Sequence, residues 1–288
     1  MKTRLQGKTS LRVLEIVMFI VFIIYFYPFF LVLINASKAP FMVTSEPLKL
    51  PSDWSLLFKN IASIWTNPNI RYPSSFLTSI IITTASLFTL NILSSQAAWV
   101  LVRTKTKFSG LIFLTFVAAM VIPFQIVMLP LVSWFRTIHN VFGLKLLRTY
   151  GGVIFAYLGF GMSLSIFLFH GFIKGIPLAL EEAATIDGCG KIRTFYLIIT
   201  PLLRPIHATV AILNGIWIWN DYLLPLILLG KGAGIQTFPL AVVNFAGAFV
   251  KQWDLIMAAI LMAIVPIVIF FLALQRFIVK GMVAGSIK

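Results

Sequence analysis

The stretch Phe195-Tyr-Leu-Ile-Ile-Thr-Pro-Leu-Leu-Arg204-Pro-Ile-His-Ala-Thr-Val-Ala-Ile-Leu-Asn214-Gly-Ile-Trp-Ile-Trp-Asn-Asp221-Tyr-Leu-Leu-Pro-Leu-Ile-Leu-Leu229 decides how the chain is threaded. It is longer than one membrane crossing needs, since a helix crosses the hydrocarbon in about 20 apolar residues. A span starting at Phe195 would bring Arg204 near the bilayer centre, at a cost of roughly 2.5–3.5 kcal/mol. Pro201 and Pro205 would also interrupt the helix interior. A span starting at Pro205 has neither fault: proline is tolerated in a first turn, and Arg204 reaches the interface. The sequence therefore predicts a span over Pro205–Leu224, with Lys191–Leu203 lying along the membrane surface before it.

Outward from that stretch lie further apolar runs at Leu14–Ile34, Phe76–Leu101, Gly110–Trp134, Tyr150–Ile173 and Leu255–Gln275. Six spans result. Of the 288 residues, 60% are hydrophobic and 11% charged, where a soluble domain has about 45–50% and 25%. No water-soluble core of this size buries such a surplus, so the expected fold is all-α and integral to a membrane. That composition excludes disorder, collagen, a disulfide scaffold and a nucleic-acid-binding domain. The net charge of +15 is dispersed between apolar runs, which makes it a matter of topology. The single Cys189 excludes an intrachain disulfide. With the N-terminus inside, the inner segments hold more of the 23 lysines and arginines than the outer loops, although Arg136, Lys145 and Arg148 dilute the bias. The organisation expected is a cytoplasmic N-terminus over 1–13, a first span over 14–34, an extracytoplasmic loop over 35–75, a membrane core over 76–275 and a cytoplasmic tail over 276–288.

The acidic residues are as informative as the apolar ones. None of the eight lies at mid-membrane in this threading. Proton- and sodium-coupled carriers commonly place Asp, Glu or His there, so ion coupling within this chain is disfavoured. His170 and His207 fall at helix ends, where an interface role is the commoner one. Gly7-Lys8-Thr9-Ser10 looks like the end of a phosphate loop, but the required earlier glycine would fall on Lys2. No paired metal ligands, nucleophile elbow or carboxylate dyad points to an enzyme.

Three acids crowd into one short inner segment, Ile176-Pro-Leu-Ala-Leu-Glu-Glu-Ala-Ala-Thr-Ile-Asp-Gly188. Pro177 suits a first helical turn and Gly188 a C-terminal stop, so a helix of barely three turns is predicted over Leu178–Asp187. It is marginal alone in water and needs packing. Leu180, Ala183, Ala184 and Asp187 share a side at three- and four-residue spacing, and the small alanines let another surface approach closely. Glu181 and Glu182 read either as a solvated face or as groups that meet a soluble partner.

Glu182-Ala183-Ala184, then Asp187-Gly188 and Pro201, resembles the EAA loop of bacterial ABC import permeases. The wider string Ala179–Gly188 looks like that of the carbohydrate-uptake, MalG-like subgroup. The tail Gln275-Arg-Phe-Ile-Val-Lys-Gly281 with Ala284-Gly285, the stretch Trp219-Asn-Asp-Tyr222 with Pro225, and Trp253-Asp254 are similar to further stretches of that family. Thr200 stands where the family usually has Leu, and Cys189 where it often has Ala. The resemblance implies six spans with a short cytoplasmic coupling helix between the fourth and fifth, in the loop 177–193. It implies that Glu181, Glu182, Ala183, Ala184, Asp187 and Gly188 couple to an ATPase. It also implies a bacterial cytoplasmic membrane, with both termini cytoplasmic. The implied partners are a second permease subunit, two ABC ATPase subunits that bind ATP and Mg, and an extracellular sugar-binding protein. The chain itself would hold no cofactor and catalyse nothing. The loop about Ala241–Trp253 matches the region that reaches toward the binding protein.

For the sugar path the sequence offers Asn91, Gln96, Gln125 and Asn214 at membrane depth, with Trp217, Trp219 and Tyr222 near the outer end of span five. Intramembrane Asn and Gln often bond across helices, and Trp and Tyr often anchor at interfaces, so both readings stand. Pro123, Pro130 and Pro266 are expected to kink their helices. The function expected is the membrane subunit of an ATP-driven sugar (oligosaccharide) importer; the other class is a self-sufficient secondary carrier or channel.

Overall fold

The uninterrupted apolar runs become long helices, and the breaks fall where proline, glycine or a buried carboxylate forces them. The computed structural model describes the backbone of residues 2–68, 71–230, 234–248 and 252–286, and the side chains of 11–68, 71–230, 234–243 and 252–276. Lys2, Arg4, Lys8, Lys231, Lys251, Lys280 and Lys288, most side chains of the loop before Trp253, and the tail motif from Phe277 onward lie outside the described side chains. No strand occurs among the described residues. The chain divides into two units, Met1–Tyr72 with Val242–Ile264 and Pro73–Ala241 with Val265–Lys288.

The first unit opens with α1, Lys2–Ala36, which contains the expected first span. Every side chain from Leu11 through Phe30 is exposed. The segment expected as an outer loop is itself folded, into α2 (Pro40–Ser45) and α3 (Ser55–Thr66). A polar knot holds it. Lys38 is 2% exposed, and its ammonium donates to Asn35 Oδ1 at 3.0 Å and to the carbonyls of Glu46 and Pro47 at 2.8 and 3.1 Å. Three donors thus meet three acceptors, the full capacity of an ammonium. Asn60 Nδ2 donates to the Ala36 carbonyl at 2.9 Å, which ties α3 to the end of α1. Asn35 and Ser37 are buried in this knot, and the Asn35 amide donates to the Leu31 and Pro47 carbonyls at 2.8 and 3.0 Å.

In the second unit α4, Tyr72–Arg103, encloses the expected second span and begins earlier, at Tyr72. The expected third span is not one helix. It is α5 (Lys107–Ala119) and α6 (Phe124–Phe142), bent by 107°. Pro123 is the cause: it has no N–H to give and pushes Ile122 away from helical geometry, so α5 stops and α6 starts behind the proline. Pro130 lies inside α6 without ending it. Thr106 caps α5 by accepting from Ser109 N at 3.1 Å, and Thr149 caps α7, Tyr150–Lys174, by accepting from Gly152 N at 3.1 Å. Half of the apolar stretch of α7 is buried, against 28% for α4, which makes α7 the post of this unit. Its first half packs Val153, Ala156 and Tyr157 against Leu90, Phe135 and Ile218. Its second half packs Ile166, Phe169 and Ile173 against Ala98, Phe195 and Val210.

After α7 come α8 (Ala179–Ile186), α9 (Lys191–Thr194), a single π turn over Phe195–Ile199, and α10 (Thr200–Leu202). The chain then bends by 75° into α11, Arg204–Asn220. The break therefore sits where the prolines and Arg204 require it. The C-terminal end of this helix differs from expectation. The helix stops at Asn220, and Asp221 accepts from Leu223 N at 2.9 Å and Leu224 N at 3.4 Å, starting α12 (Leu223–Leu229) in a new direction. The remaining helices are α13, Phe238–Ala248, and α14, Trp253–Ser286, the latter enclosing the expected last span with Pro266 inside it. Among the described residues, four helices are long and apolar enough to cross a membrane, or up to six if each bent pair is one crossing.

Candidate functional site

The loop between α7 and α11 holds the acidic cluster, and its geometry begins with how α8 ends. Gly188 adopts φ 82°, the left-handed conformation that favours glycine. Gly188 N donates to the Thr185 carbonyl at 3.0 Å and Cys189 N to the Ala184 carbonyl at 2.8 Å. Those two bonds are a Schellman closure, which satisfies the last carbonyls of the helix and turns the chain away. Eight residues are too few to persist unaided, so the helix depends on its neighbours.

Its two faces have separate surroundings. Glu181 and Ala184, three residues apart, are 9% and 3% exposed. Glu181 accepts from Arg103 Nε at 2.7 Å and from Trp99 Nε1 at 3.1 Å, both at the C-terminal end of α4. Arg103 also donates from Nη2 to the Ile176 carbonyl at 3.1 Å. Charge-assisted bonds of this kind contribute about 1.5–3 kcal/mol each. Glu182, Ala183, Ile186, Asp187 and Gly188 lie on the open side, with Ile186 86% exposed. The six residues singled out in sequence thus divide: two face into the protein and four face away from it. A cavity of about 330 Å³ lies between α4, α8 and α9, lined by Arg103, Glu181, Glu182 and Lys191 among others.

The substrate-path candidates scatter. Asn214 is 2% exposed, and its amide donates to Ser165 Oγ at 3.0 Å and to the Val210 carbonyl at 3.0 Å, joining α11 to α7. Gly161 permits that approach, since a Cβ there would stand 2.9 Å from Leu90 and 3.0 Å from Asn214. Asn91 bonds to the Leu87 carbonyl at 2.9 Å and its Oδ1 lies 3.0 Å from His207 Nδ1. Asn91 and His207, with Arg204, line a groove of about 790 Å³ between α4, α11 and α14. Gln96 donates to the Tyr196 hydroxyl at 2.6 Å. Gln125 is exposed at the start of α6. Trp219 is buried edge-on to Phe76 at 5.7 Å, whereas Trp217 is 38% exposed and edge-on to Tyr157 at 5.4 Å. Tyr222 is half-buried.

Sequence reasoning missed three participants. Tyr157 donates to Asp221 Oδ2 at 3.1 Å, fixing the carboxylate that separates α11 from α12. A tyrosine inside an apolar run was the available signal, because its hydroxyl needs a partner when buried. Trp99 and Arg103 stand four residues apart on α4, a spacing that places them on one face, but nothing in the sequence names Glu181 as their common acceptor. Among the described residues no three His, Cys, Asp or Glu side chains gather as a metal site.

Known proteins resemble this chain in sequence and in fold. Residues 91–284 match the model of the family described as binding-protein-dependent transport system inner membrane component. The chain is 42% identical over 261 residues to the "Probable starch degradation products transport system permease protein AmyC" of Thermoanaerobacterium thermosulfurigenes, covering 91% of each. It is 35% identical over 280 residues to the "Melibiose/raffinose/stachyose import permease protein MelC" of Bacillus subtilis (strain 168), covering 97% of each. The fold is similar, at a TM-score of 0.73 and 20% identity, to a chain of a bacterial ABC transporter involved in the import of the acidic polysaccharide alginate, over 92% of this chain and 94% of that one. Sequence and fold agree: the chain belongs to the binding-protein-dependent transport system inner membrane component family, as a non-catalytic, multi-pass membrane permease subunit of an ABC transporter.

Proposed function

We propose that this chain forms half of the translocation pathway of an ATP-driven, binding-protein-dependent oligosaccharide importer, and that α8 is its coupling helix. The observation that carries the reading is the open side of α8: Glu182, Ala183 and Ile186 project from a short, closed helix held between α7 and α11. A carboxylate, a methyl and a butyl side chain on two turns suit a cleft on a soluble ATPase that carries a cation and an apolar floor. ATP and Mg are then held by a pair of such ATPase subunits, and this chain meets a second permease and an external sugar-binding protein. Each bent helix pair counts as one crossing in this reading, giving six spans with both termini in the cytoplasm. Trp217, half-exposed beside Tyr157, is the aromatic best placed to meet a sugar ring. Relatives named for starch degradation products and for raffinose support an oligosaccharide cargo.

The test is purification of the tagged chain with its partners and reconstitution in liposomes. ATPase subunits should copurify, and maltotriose or raffinose with the binding protein should stimulate ATP hydrolysis. Glu182→Lys should insert in the membrane normally and lose the ATPase. Uptake of either sugar by this chain alone, driven by an ion gradient, would overturn the reading.

A further inference from the structure

The inward side of the same loop is gripped at several points by a single helix. Gln96, Trp99 and Arg103 stand three and four residues apart on α4 and so share one face. Arg103 reaches the Ile176 carbonyl just before α8, at 3.1 Å. Arg103 and Trp99 together hold Glu181 on α8, at 2.7 and 3.1 Å. Beyond α8, the Trp99 ring lies 5.2 Å from that of Phe195, and Gln96 donates to the Tyr196 hydroxyl at 2.6 Å. The contacts fall before, on and after the short helix.

The covalent routes out of α8 are softer. Toward α7 the chain passes Pro177 and Gly175; toward α11 it passes Gly188, Gly190, the π turn and the 75° bend. A few loop or element-terminal residues of this kind absorb displacement by backbone rotation. The bond from Arg103 to Glu181 has less slack, because both side chains are largely buried and their charges meet at 2.7 Å. Farther along α4, Asn91 meets His207 of α11, and Leu90 crowds Gly161 of α7. We infer that Gln96, Trp99 and Arg103 form a rack through which displacement of α8 moves α4 directly, with Glu181 as a positioning residue rather than a docking carboxylate. The inference rests on the reading of α8 as the ATPase-coupled element.

The test uses the full transporter complex in nanodiscs, carrying Val100→Cys as a reporter on α4 and Cys189→Ser to remove the native thiol. Maleimide labelling of the reporter is compared between nucleotide-free complex and complex trapped with MgATP and vanadate. Labelling should change on trapping. In Glu181→Gln and in Trp99→Phe that change should fall at least about fivefold, the low end of ordinary coupling between sites, with ATPase subunits still bound in normal stoichiometry. Loss of the ATPase from Glu181→Gln, an unaltered labelling change in both single variants, or a reporter indifferent to trapping in its parent complex would each overturn the rack. A parent complex without any ATPase would instead overturn the importer reading.

Discussion

Ala183 and Ala184 are adjacent and chemically identical, yet they occupy opposite sides of α8. Ala184 is 3% exposed against the body of the protein, while Ala183 faces away from it. Replacing each with tryptophan should therefore separate two effects. Ala184→Trp overpacks the interior at a cost of about 1–3 kcal/mol or more and should lower the thermal midpoint of the purified chain. Ala183→Trp should leave that midpoint unchanged and remove the ATPase from the copurified complex. Equal midpoints for the two variants would mean that the faces are assigned wrongly. Helical spacing alone grouped Leu180, Ala183, Ala184 and Asp187 on a side, but it could not say which residues pack. That depends on Glu181 meeting Arg103 across 78 residues of chain, and no local pattern encodes such a pairing. Asn214 is the opposite case. A carboxamide in an apolar run must find a partner, so its bonding across to another helix was one of two readable outcomes, and Ser165 is the partner found.

At the level of elements, the sequence was most legible where one residue dominates the physics. Arg204 and its flanking prolines were enough to put the break before α11, because a central charge and an interrupted helix are each costly. A proline in an apolar run predicts a kink, whereas behind Pro123 the chain makes a turn of 107° between two separate helices, α5 and α6. The end of α11 was missed because Asp221 looks like an exposed helix terminus until Tyr157 and the two backbone donors of α12 are brought to it. The segment after α1 was read as loop for want of apolar length, although Lys38 organises it. Burial pushes the Lys38 ammonium below its ordinary value, and the Glu46 charge opposes this only in part. A base whose folded value is lowered binds fewer protons folded than unfolded, so its contribution to stability rises with pH as the medium approaches 10.5 from below. Thermal unfolding of the purified chain should carry that upward component as the pH is raised toward 10.5, and Lys38→Met should lack it. A variant with the same pH slope as its parent would show that the ammonium does not titrate differently on folding.

For the molecule as a whole, composition settled the membrane and motif settled the family, but orientation follows from a modest excess of inner cations and needs its own measurement. The chain provides a built-in reporter, because Cys189 is its one cysteine and lies immediately after α8. If the loop that carries α8 is cytoplasmic, a membrane-impermeant maleimide should label Cys189 in inverted vesicles and leave it unlabelled in intact cells. The complementary variant, Phe41→Cys with Cys189→Ser, places a thiol on α2 at a position 78% exposed, and it should label in intact cells only. Both experiments belong in cells that express the chain without its ATPase, where nothing covers α8. Adding the ATPase should then slow labelling of Cys189 in the inverted vesicles and leave the rate at position 41 as it was. The reverse sidedness would place α8 outside the cell, beyond the reach of ATP, and no arrangement of its exposed face could then drive transport.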